Sequence, residues 1–417
     1  MKATCSSRIA LLAFWMCLYA LIPAWAADWP HWRGPNRDGI STEPGFSTDW
    51  PKEGPKQLWK AELGAGFSSV AISNGRLFTL GNRNETDSVF CLDAETGKEI
   101  WKSSYPSRTD SNNEEWGPAA TPTVDGELVY TFGLRGQLFC LNAATGKIVW
   151  EKNVEREPGA RSPEWGFTSS PLVQGKLLFL NIGTGGAAFD KATGKVVWSS
   201  GRNPGAYCTP VPFKAGAQLA LAILGPATVF VVNAETGKEL WLHPWPTPYG
   251  INVADPIVSG DKVFVSSSYG KGAGLIQFQD GKASQVWANM NMINHFNSCV
   301  LVEGHLYGVN CDTKRINEGN LRCIDFKTGQ VKWTHEGTGA GTQMAVGNKL
   351  VVLTGAGELI VAEATPSEFR PLARAQVLGG RCWTVPVFAD GRLYCRNLQG
   401  TLVCLDVKSH TTALRSE

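Results

Sequence analysis

The chain has 417 residues, and its 39 basic and 37 acidic residues give a formal net charge of +2. This balance excludes the strongly basic surface that nucleic-acid binding requires. The composition, with 46 glycines, 23 prolines and 16 tryptophans among many short runs of Val, Leu and Phe, favours an all-β protein with tight turns.

The N-terminus has the three parts of a secretory signal peptide. Lys2 and Arg8 provide the charged start, residues 9–22 are apolar, and Ala-Trp-Ala at residues 24–26 is typical of a cleavage site. The apolar stretch is too short to span a bilayer, and no small residues lie ahead of Cys17 to favour lipid attachment. We therefore predict a signal peptide at residues 1–26 and a periplasmic or secreted protein without a membrane span. In the mature chain 37 basic residues balance 37 acidic ones.

The mature chain is predicted to consist of a short segment and one repetitive domain. Residues 27–56 are expected to form an N-terminal extended segment, and residues 57–417 a β-propeller. The domain begins with an isolated strand at residues 57–63, whose Trp59 has no repeat unit of its own. We expect this strand to complete the last unit and close a ring, because closure protects sheet edges.

A nine-residue cassette recurs along the domain. It reads Asp-Ala-Glu-Thr-Gly-Lys-Glu-Ile-Trp at residues 93–101 and returns, with changes, at residues 142–150, 190–198, 233–241 and 325–333. A repeat of about 45 residues is typical of solenoids and propellers. The Asp or Asn can bond the backbone two residues on, and the Gly can supply a left-handed bulge turn. The Trp is expected to pack against the neighbouring unit.

One unit reads as four short strands. In the second unit, strands are predicted at residues 118–124, 128–132 and 137–141, with a fourth from residue 147 after the cassette turn. Four antiparallel strands joined by short turns make one propeller blade. Eight such sets can be counted, of which the seventh is the faintest. We predict an all-β, eight-bladed propeller of four-stranded antiparallel blades, with seven blades as the alternative.

Nine cysteines remain after the signal peptide, which in an exported protein raises the question of disulfides. Four of them stand two residues before a cassette, namely Cys91, Cys140, Cys323 and Cys404. Equivalent positions hold Ala188 and Val231, so this position is predicted to take a small apolar side chain in the core. Because nine is odd, at least one thiol is free or pairs with another chain.

The cassette, together with Ser170-Pro-Leu-Val-Gln-Gly175 before it, resembles the pyrroloquinoline-quinone (PQQ) repeat from about residue 58 to residue 405. The opening Asp-Trp-Pro-His-Trp-Arg-Gly-Pro at residues 28–35 is similar to the start of bacterial secreted PQQ-like propellers. The resemblance implies one of two classes. Quinoprotein dehydrogenases hold PQQ and calcium at the mouth of the ring, whereas the propeller lipoprotein of the outer-membrane β-barrel assembly machinery works by protein contact.

The chain departs from both classes. It has no adjacent Cys-Cys pair, no Cys-x-x-Cys-His haem motif and little room for the insertions that cover a quinone. It also lacks a lipid-attachment cysteine, which separates it from the assembly lipoprotein. Its six histidines show no metal-ligand spacing, so no metal site is predicted from them.

Candidate site residues lie in the loops that lead into the first strand of each blade and in the loops between second and third strands. In a propeller both sets of loops share one face around the central channel. The leading loops contribute Trp116, Trp165, Tyr207, Asn252, Asp255, His295, Asn297, Arg381 and Trp383, and the other loops contribute Arg135, Asn310 and Asp312. Aromatic walls with arginines would suit a flat anionic ligand. The alternative is that these residues pack the rim and contact channel water.

Two functions follow from this sequence. The preferred one is a non-catalytic binding or scaffold protein of the cell envelope, a monomer that holds an envelope protein or small ligand through its face loops. The alternative is a PQQ-dependent oxidoreductase acting on an alcohol or sugar. In that case Trp116, Trp165 or Trp383 would stack on PQQ, and Asp255 or Asp312 would bind calcium or act as the base.

Overall fold

The computed structural model describes residues 28–108, 116–279 and 281–409. The predicted signal peptide therefore lies outside the described residues. Within these ranges the regular structure is almost entirely strand, and two one-turn 3-10 helices (Pro248–Gly250 and Thr313–Arg315) are the exceptions. None of the described helices is long and apolar enough to cross a membrane.

The described strands form eight separate sheets, which confirms the prediction of an eight-bladed propeller. The N-terminal segment contains β1 (Ile40–Ser41), and β2 (Gln57–Glu62) follows it. The first two blades contain β3 (Ala71–Ser73), β4 (Arg76–Arg83), β5 (Thr86–Asp93), β6 (Glu99–Pro106), β7 (Thr123–Asp125), β8 (Leu128–Phe132), β9 (Gln137–Asn142) and β10 (Ile148–Asn153). The third and fourth contain β11 (Leu172–Gln174), β12 (Leu177–Leu180), β13 (Ala187–Asp190), β14 (Val196–Ser199), β15 (Val211–Ala215), β16 (Gln218–Leu224), β17 (Thr228–Asn233) and β18 (Glu239–Pro244).

The second half of the ring repeats the same order. The fifth and sixth blades contain β19 (Ile257–Ser259), β20 (Lys262–Ser267), β21 (Gly272–Gln279), β22 (Lys282–Asn289), β23 (Val300–Val302), β24 (His305–Asn310), β25 (Asn320–Asp325) and β26 (Val331–Glu336). The last two contain β27 (Thr342–Val346), β28 (Lys349–Leu353), β29 (Glu358–Glu363), β30 (Pro371–Gln376), β31 (Val387–Ala389), β32 (Arg392–Arg396) and β33 (Thr401–Asp406). The fourth strand of the eighth blade is β2, which pairs antiparallel with β33, and β1 adds a fifth, parallel strand to the seventh blade beside β27.

The cassette turns hold neighbouring blades together. Trp101 of the first blade donates its indole N–H to the carbonyl of Ala143, 3.0 Å away, in the cassette of the second blade. Gly146 in the same cassette has a φ of +69°, and a Cβ placed on it would lie 2.6 Å from the Trp101 ring. The same Trp-to-Gly packing joins Trp150 to Gly194 and Trp198 to Gly237. The cassette thus pairs a Trp with the one residue that leaves room for its ring.

The first strands are shorter than the sequence suggested. Residues 118–124 were expected to be one strand, but β7 covers only Thr123–Asp125. The reason is that Thr121 donates its backbone N–H to Ser170 Oγ of the next blade, 2.9 Å away, and not to a strand of its own blade.

The cysteines are part of the core. Cys91, Cys140, Cys323 and Cys404 are fully buried, at the position predicted for a small apolar side chain. All nine cysteines of the described residues are unpaired. Burial in apolar surroundings raises the pKa of the Cys140 thiol to about 11, which keeps it protonated and unreactive.

The N-terminal segment crosses the end of the channel opposite the leading loops. Trp29 forms a β-bridge with Ile72 of the first blade, and the Pro30 carbonyl accepts a hydrogen bond from Val124 of the second. Further along, β1 pairs with β27, and Phe46 forms a bridge with Lys408 after the last strand. The segment predicted only as extended therefore contacts blades around most of the ring.

Candidate ligand-binding site at the channel mouth

A series of five hydrogen bonds joins the starts of the first strands of the first six blades. In each step a backbone N–H of one blade donates to a side-chain oxygen of the next blade. The series runs from Ser69 to Thr121 (3.2 Å), Thr121 to Ser170 (2.9 Å), Ser170 to Thr209 (3.0 Å), Thr209 to Asp255 (2.7 Å) and Asp255 to Ser298 (2.8 Å). We call these six residues the girdle. It fixes the spacing of the loops above it.

Asp255 is the carboxylate of the girdle, and its oxygens are already bonded. Oδ1 accepts the Thr209 N–H, while Oδ2 accepts the indole N–H of Trp32 at 2.6 Å and the Ser298 hydroxyl at 3.3 Å. Burial raises the pKa of Asp255, and the positive charge of Arg33 opposes that shift. Arg33 is itself buried and donates to the carbonyls of Asp38 and Cys299, both at 2.8 Å. Asp255 therefore anchors the N-terminal segment inside the channel.

A cavity of about 330 Å³ lies between the girdle and the loops of the mouth. Trp32 lines this cavity and also a smaller recess on the opposite side, which His31, Arg37 and Leu172 line. The indole of Trp32 thus separates the mouth from the far end of the channel.

Aromatic rings in mutual contact form the wall of the cavity. From ring to ring the centroid distances are 4.8 Å for Trp165 and Trp116, 5.4 Å for Trp116 and Phe67, 6.0 Å for Phe67 and Trp383, 4.2 Å for Trp383 and Phe296, 3.9 Å for Phe296 and His295, and 5.3 Å for His295 and Tyr269. We call these seven side chains the aromatic collar. Each ring is held by its neighbours, so the wall is preformed.

Two titratable groups of the wall, His295 and Tyr207, are poorly suited to proton transfer near neutral pH. Burial lowers the pKa of His295 to about 4, although the nearby Asp312 opposes the shift. Burial also raises the pKa of Tyr207 to about 12, and its hydroxyl oxygen accepts the Trp165 N–H at 3.4 Å. A general acid or base works best with a pKa near the operating pH. Neither group meets that condition.

Six of the twelve residues predicted from the sequence line this cavity. They are Trp116, Trp165, Tyr207, Asp255, His295 and Trp383. Arg381 lies beside them, with its guanidinium carbon 4.8 Å from the centroid of the Trp383 ring.

The remaining five bond to protein groups around the cavity. Asn252 is fully buried, and its amide bonds the carbonyl of Gly225 (2.8 Å) and the hydroxyl of Ser267 (2.6 Å). Asn297 donates to the Val309 carbonyl (3.3 Å), and the Asn310 side chain accepts the Ile293 N–H (2.8 Å).

Asp312 and Arg135 lie in the loops between second and third strands. The Asp312 carboxylate accepts the Lys314 N–H at 2.9 Å, and Arg135 donates to the Arg108 carbonyl at 3.1 Å. These bonds stabilise the loops that carry them.

Four further aromatic residues line the cavity and were not among the predicted site residues: Trp32, Phe67, Tyr269 and Phe296. Phe67 and Phe296 belong to leading loops, but they stand two residues before Ser69 and Ser298 of the girdle, whereas Trp116 and Trp165 stand five residues before theirs. A search at one fixed offset therefore misses them. Trp32 comes from the N-terminal segment. That segment contains no repeat, so the repeat pattern could not predict its position in the ring.

The donor set of the cavity does not fit a quinone carboxylate with calcium. Among its described lining residues there is no Lys or Arg to bind a carboxylate, and Asp255 is already bonded on both oxygens. Calcium takes six to eight oxygen ligands. No group of three or more His, Cys, Asp or Glu side chains suited to a metal occurs in the described part of the chain.

The fold and the site together define an eight-bladed β-propeller with an aromatic cavity at one mouth of its channel. The chain belongs to the family PQQ_2, described as outer membrane protein assembly factor BamB, whose model matches residues 51–130, 107–335 and 317–413. This match confirms the resemblance to PQQ-like propellers. No curated protein matches the sequence significantly.

Solved structures support the same fold. BamB from Moraxella catarrhalis is 15% identical and superposes with a TM-score of 0.61, over 84% of this chain and 99% of that one. Quinohemoprotein alcohol dehydrogenase from Comamonas testosteroni is 15% identical with a TM-score of 0.65, over 91% of this chain and 80% of that one. A europium-containing methanol dehydrogenase is 12% identical with a TM-score of 0.62, over 91% and 89%. At these identities the likeness concerns the fold alone.

Proposed function

We propose that this protein is a non-catalytic binding protein of the cell envelope, exported by its signal peptide, which holds a ligand or partner at the mouth of its propeller channel. The family description, which names an outer-membrane assembly factor, supports a place in the envelope. A rigid ring that carries loops on one face is a common platform for binding.

The chemistry of the cavity carries this proposal. Its wall is aromatic and preformed, its carboxylate is bonded to Trp32, Thr209 and Ser298, and its histidine has a pKa of about 4. Acid–base catalysis needs a group that can exchange a proton near neutral pH. Binding needs only shape, apolar area and a few polar groups, which this cavity provides.

The alternative, a PQQ-dependent oxidoreductase, has support from the fold of the dehydrogenase relatives. The cavity argues against it. A quinone carboxylate would meet aromatic faces without a lysine or arginine among the described lining residues, and Arg381 stacks on Trp383 at the side. A bound carboxylate without a cationic partner would be strongly destabilised.

A pair of titrations separates the two functions. PQQ with calcium is titrated into the purified protein by calorimetry, and dye reduction is followed with a panel of alcohols and sugars. We expect no saturable heat at high micromolar PQQ and no dye reduction. Saturable PQQ binding with turnover would overturn the proposal.

The binding function itself is tested with immobilised protein and a fractionated cell-envelope extract. We expect one component to bind saturably to the wild type and to be lost with Trp165→Ala, which removes one ring of the collar. Val197→Ala changes an exposed residue of the outer strand β14 and serves as the matched control. The absence of any saturable component that depends on Trp165 would contradict the proposal.

A further inference from the structure

Two recesses adjoin each other on the face of the mouth. Beside the central cavity of about 330 Å³ lies a groove of about 410 Å³ between the third and fourth blades. Tyr207 lines both, and Glu164 in the groove precedes Trp165 in the cavity. Each volume is within the range of small-ligand sites. Together they offer a continuous site longer than the channel mouth.

The wall of the central cavity favours a ligand that lies flat against it. The rings of the collar contact one another, with Trp116 and Trp165 stacked at 4.8 Å and Trp383 and Phe296 stacked at 4.2 Å. Neighbouring rings in van der Waals contact leave no slot between them for a proline side chain, which proline-rich peptides require. A ligand with an apolar ring face can instead lie across the wall.

Hydroxyl groups complement the aromatic wall. Ser170, Thr209 and Ser298 of the girdle line the cavity, as do Thr168 and Thr384 of the leading loops. The Ser170 and Thr209 hydroxyls accept a backbone N–H and can still donate, whereas those of Thr168, Thr384 and Ser298 already donate and can accept a further bond. Aromatic faces beside hydroxyl groups, without a free charge, match a neutral ring that has an apolar face and a hydroxylated edge. A sugar ring has that character.

The groove continues the same chemistry. Its polar lining includes Thr184, Asn203 and Thr228, and Glu164 is its charged member. Where the groove meets the cavity, Tyr249 is 81% exposed and has a φ of +69°, which is rare for a residue with a side chain. Its ring packs edge-on against Tyr269 of the collar, with centroids 5.9 Å apart. Backbone strain of this kind concentrates at ligand sites.

From these contacts we propose that the mouth and the groove bind a neutral oligosaccharide chain. One sugar lies against the aromatic collar, and the chain leaves over Tyr207 and Tyr249 into the groove. This inference rests on the proposed binding function and names the class of ligand that this site takes. Bound sugars are neither oxidised nor cleaved in this arrangement.

Neutral oligosaccharides of increasing length provide the test. The glucose, xylose and N-acetylglucosamine series, each from disaccharide to hexasaccharide, are titrated by calorimetry into the mature protein. We expect one series to bind with an affinity that rises with length. Tyr249→Ala should weaken the hexasaccharide about five- to tenfold, the value of one lost ring contact, and leave the disaccharide unchanged.

Two controls accompany this experiment. Tyr249→Phe keeps the ring and should bind both lengths within about twofold of the wild type. Val149→Ala, at a residue 52% exposed on the outer strand β10, should leave both affinities unchanged. If Tyr249→Ala lost the same fold of affinity for the disaccharide and the hexasaccharide, the proposal that the ligand extends from the mouth into the groove would be overturned.

Other outcomes separate this inference from the proposed function. If no neutral oligosaccharide binds at millimolar concentration while an envelope component still depends on Trp165, the ligand class is wrong and the binding function stands. If that component is a peptide that competes for the mouth, the site belongs to a protein partner. Saturable PQQ binding with turnover would overturn both.

Discussion

Asp255 occupies a position of the girdle where Thr121, Ser170, Thr209 and Ser298 provide a hydroxyl. A hydroxyl is sufficient to accept the backbone N–H of the preceding blade. The carboxylate adds a second acceptor, which bonds the indole of Trp32, and a negative charge near the buried Arg33. The sequence predicted Asp255 as a site residue because of its loop. It could not predict the partners, which lie 223 residues away in the case of Trp32.

We predict that Asp255→Ser, which restores the residue type found in other blades, lowers the free energy of unfolding by about 1–3 kcal/mol, because it leaves the part-buried indole N–H of Trp32 without its acceptor and removes a carboxylate near the buried Arg33. Urea denaturation measures the change. The double variant Arg33→Met/Asp255→Ser should lose less than the sum of the two single variants, since the two side chains interact electrostatically. Additive losses would show that the two side chains do not interact.

Two buried histidines predict how stability changes with pH. Burial lowers the pKa of both His31 and His295 from the model-peptide value of 6.5 to about 4. Between these values the unfolded chain binds a proton that the folded chain excludes, so stability is lost as the pH falls from 6.5 to 4. The loss is at most roughly 3 kcal/mol for each histidine.

We predict that His295→Phe removes about half of this histidine-dependent loss and keeps an aromatic ring in the collar. Urea midpoints of the wild type and the variant are compared at pH 7 and pH 4.5. All other groups titrate alike in both proteins. The difference between their changes in urea midpoint from pH 7 to pH 4.5 therefore gives the contribution of His295 to the pH dependence of stability. Identical pH dependences would mean that His295 titrates normally in the folded protein.

At the level of the strands and turns, the cassette was the part that sequence could predict. Its Asp or Asn and its Gly form a turn through local bonds, such as that from the Thr96 N–H to Asp93 Oδ1 at 2.8 Å. Local bonds recur with local sequence, so every well-preserved cassette showed the same turn. The first strands were predicted too long because the bonds that shorten them go to the neighbouring blade, which a pattern within one unit does not contain.

A turn can require glycine for two reasons, a left-handed φ and a lack of space for a side chain. Two glycines of the second blade separate these reasons. Gly126 and Gly146 both have a left-handed φ, +61° and +69°, but a Cβ on Gly126 meets nothing within 4 Å, whereas one on Gly146 meets the Trp101 ring at 2.6 Å. We predict that Gly126→Ala destabilises the protein by about 1 kcal/mol through φ alone. Gly146→Ala should add about 1–3 kcal/mol of overpacking. If urea denaturation showed an equal loss of stability for both variants, the Trp101 ring would have moved to accommodate the added methyl group at no cost.

For the whole molecule, the repeat count predicted the ring but not what fills its channel. The blades follow one another in sequence, so counting their strands gave the number of blades. The N-terminal segment crosses the ring through single contacts, such as that from Arg37 to the Val173 carbonyl at 2.7 Å and that from Glu43 to the Gly391 N–H at 2.7 Å. The partners of Arg37 and Glu43 are backbone atoms 136 and 348 residues away in the sequence. Because every residue has the same backbone atoms, the sequence does not indicate where such contacts form.

The seam between β2 and the first blade tests whether the ring unfolds as one unit. Trp59 on β2 and Trp101 on β6 are each 9% exposed, and they dock alike: their indoles donate to Ala94 and Ala143, and their rings face Gly97 and Gly146. In a closed ring both seams are equivalent, so we predict that Trp59→Ala and Trp101→Ala each lower the free energy of unfolding by about 3–5 kcal/mol. Each should show a single urea transition with an unchanged m-value. An additional early transition in Trp59→Ala, absent from Trp101→Ala, would instead mean that the N-terminal strand and the last blade detach separately, as at the end of an open solenoid.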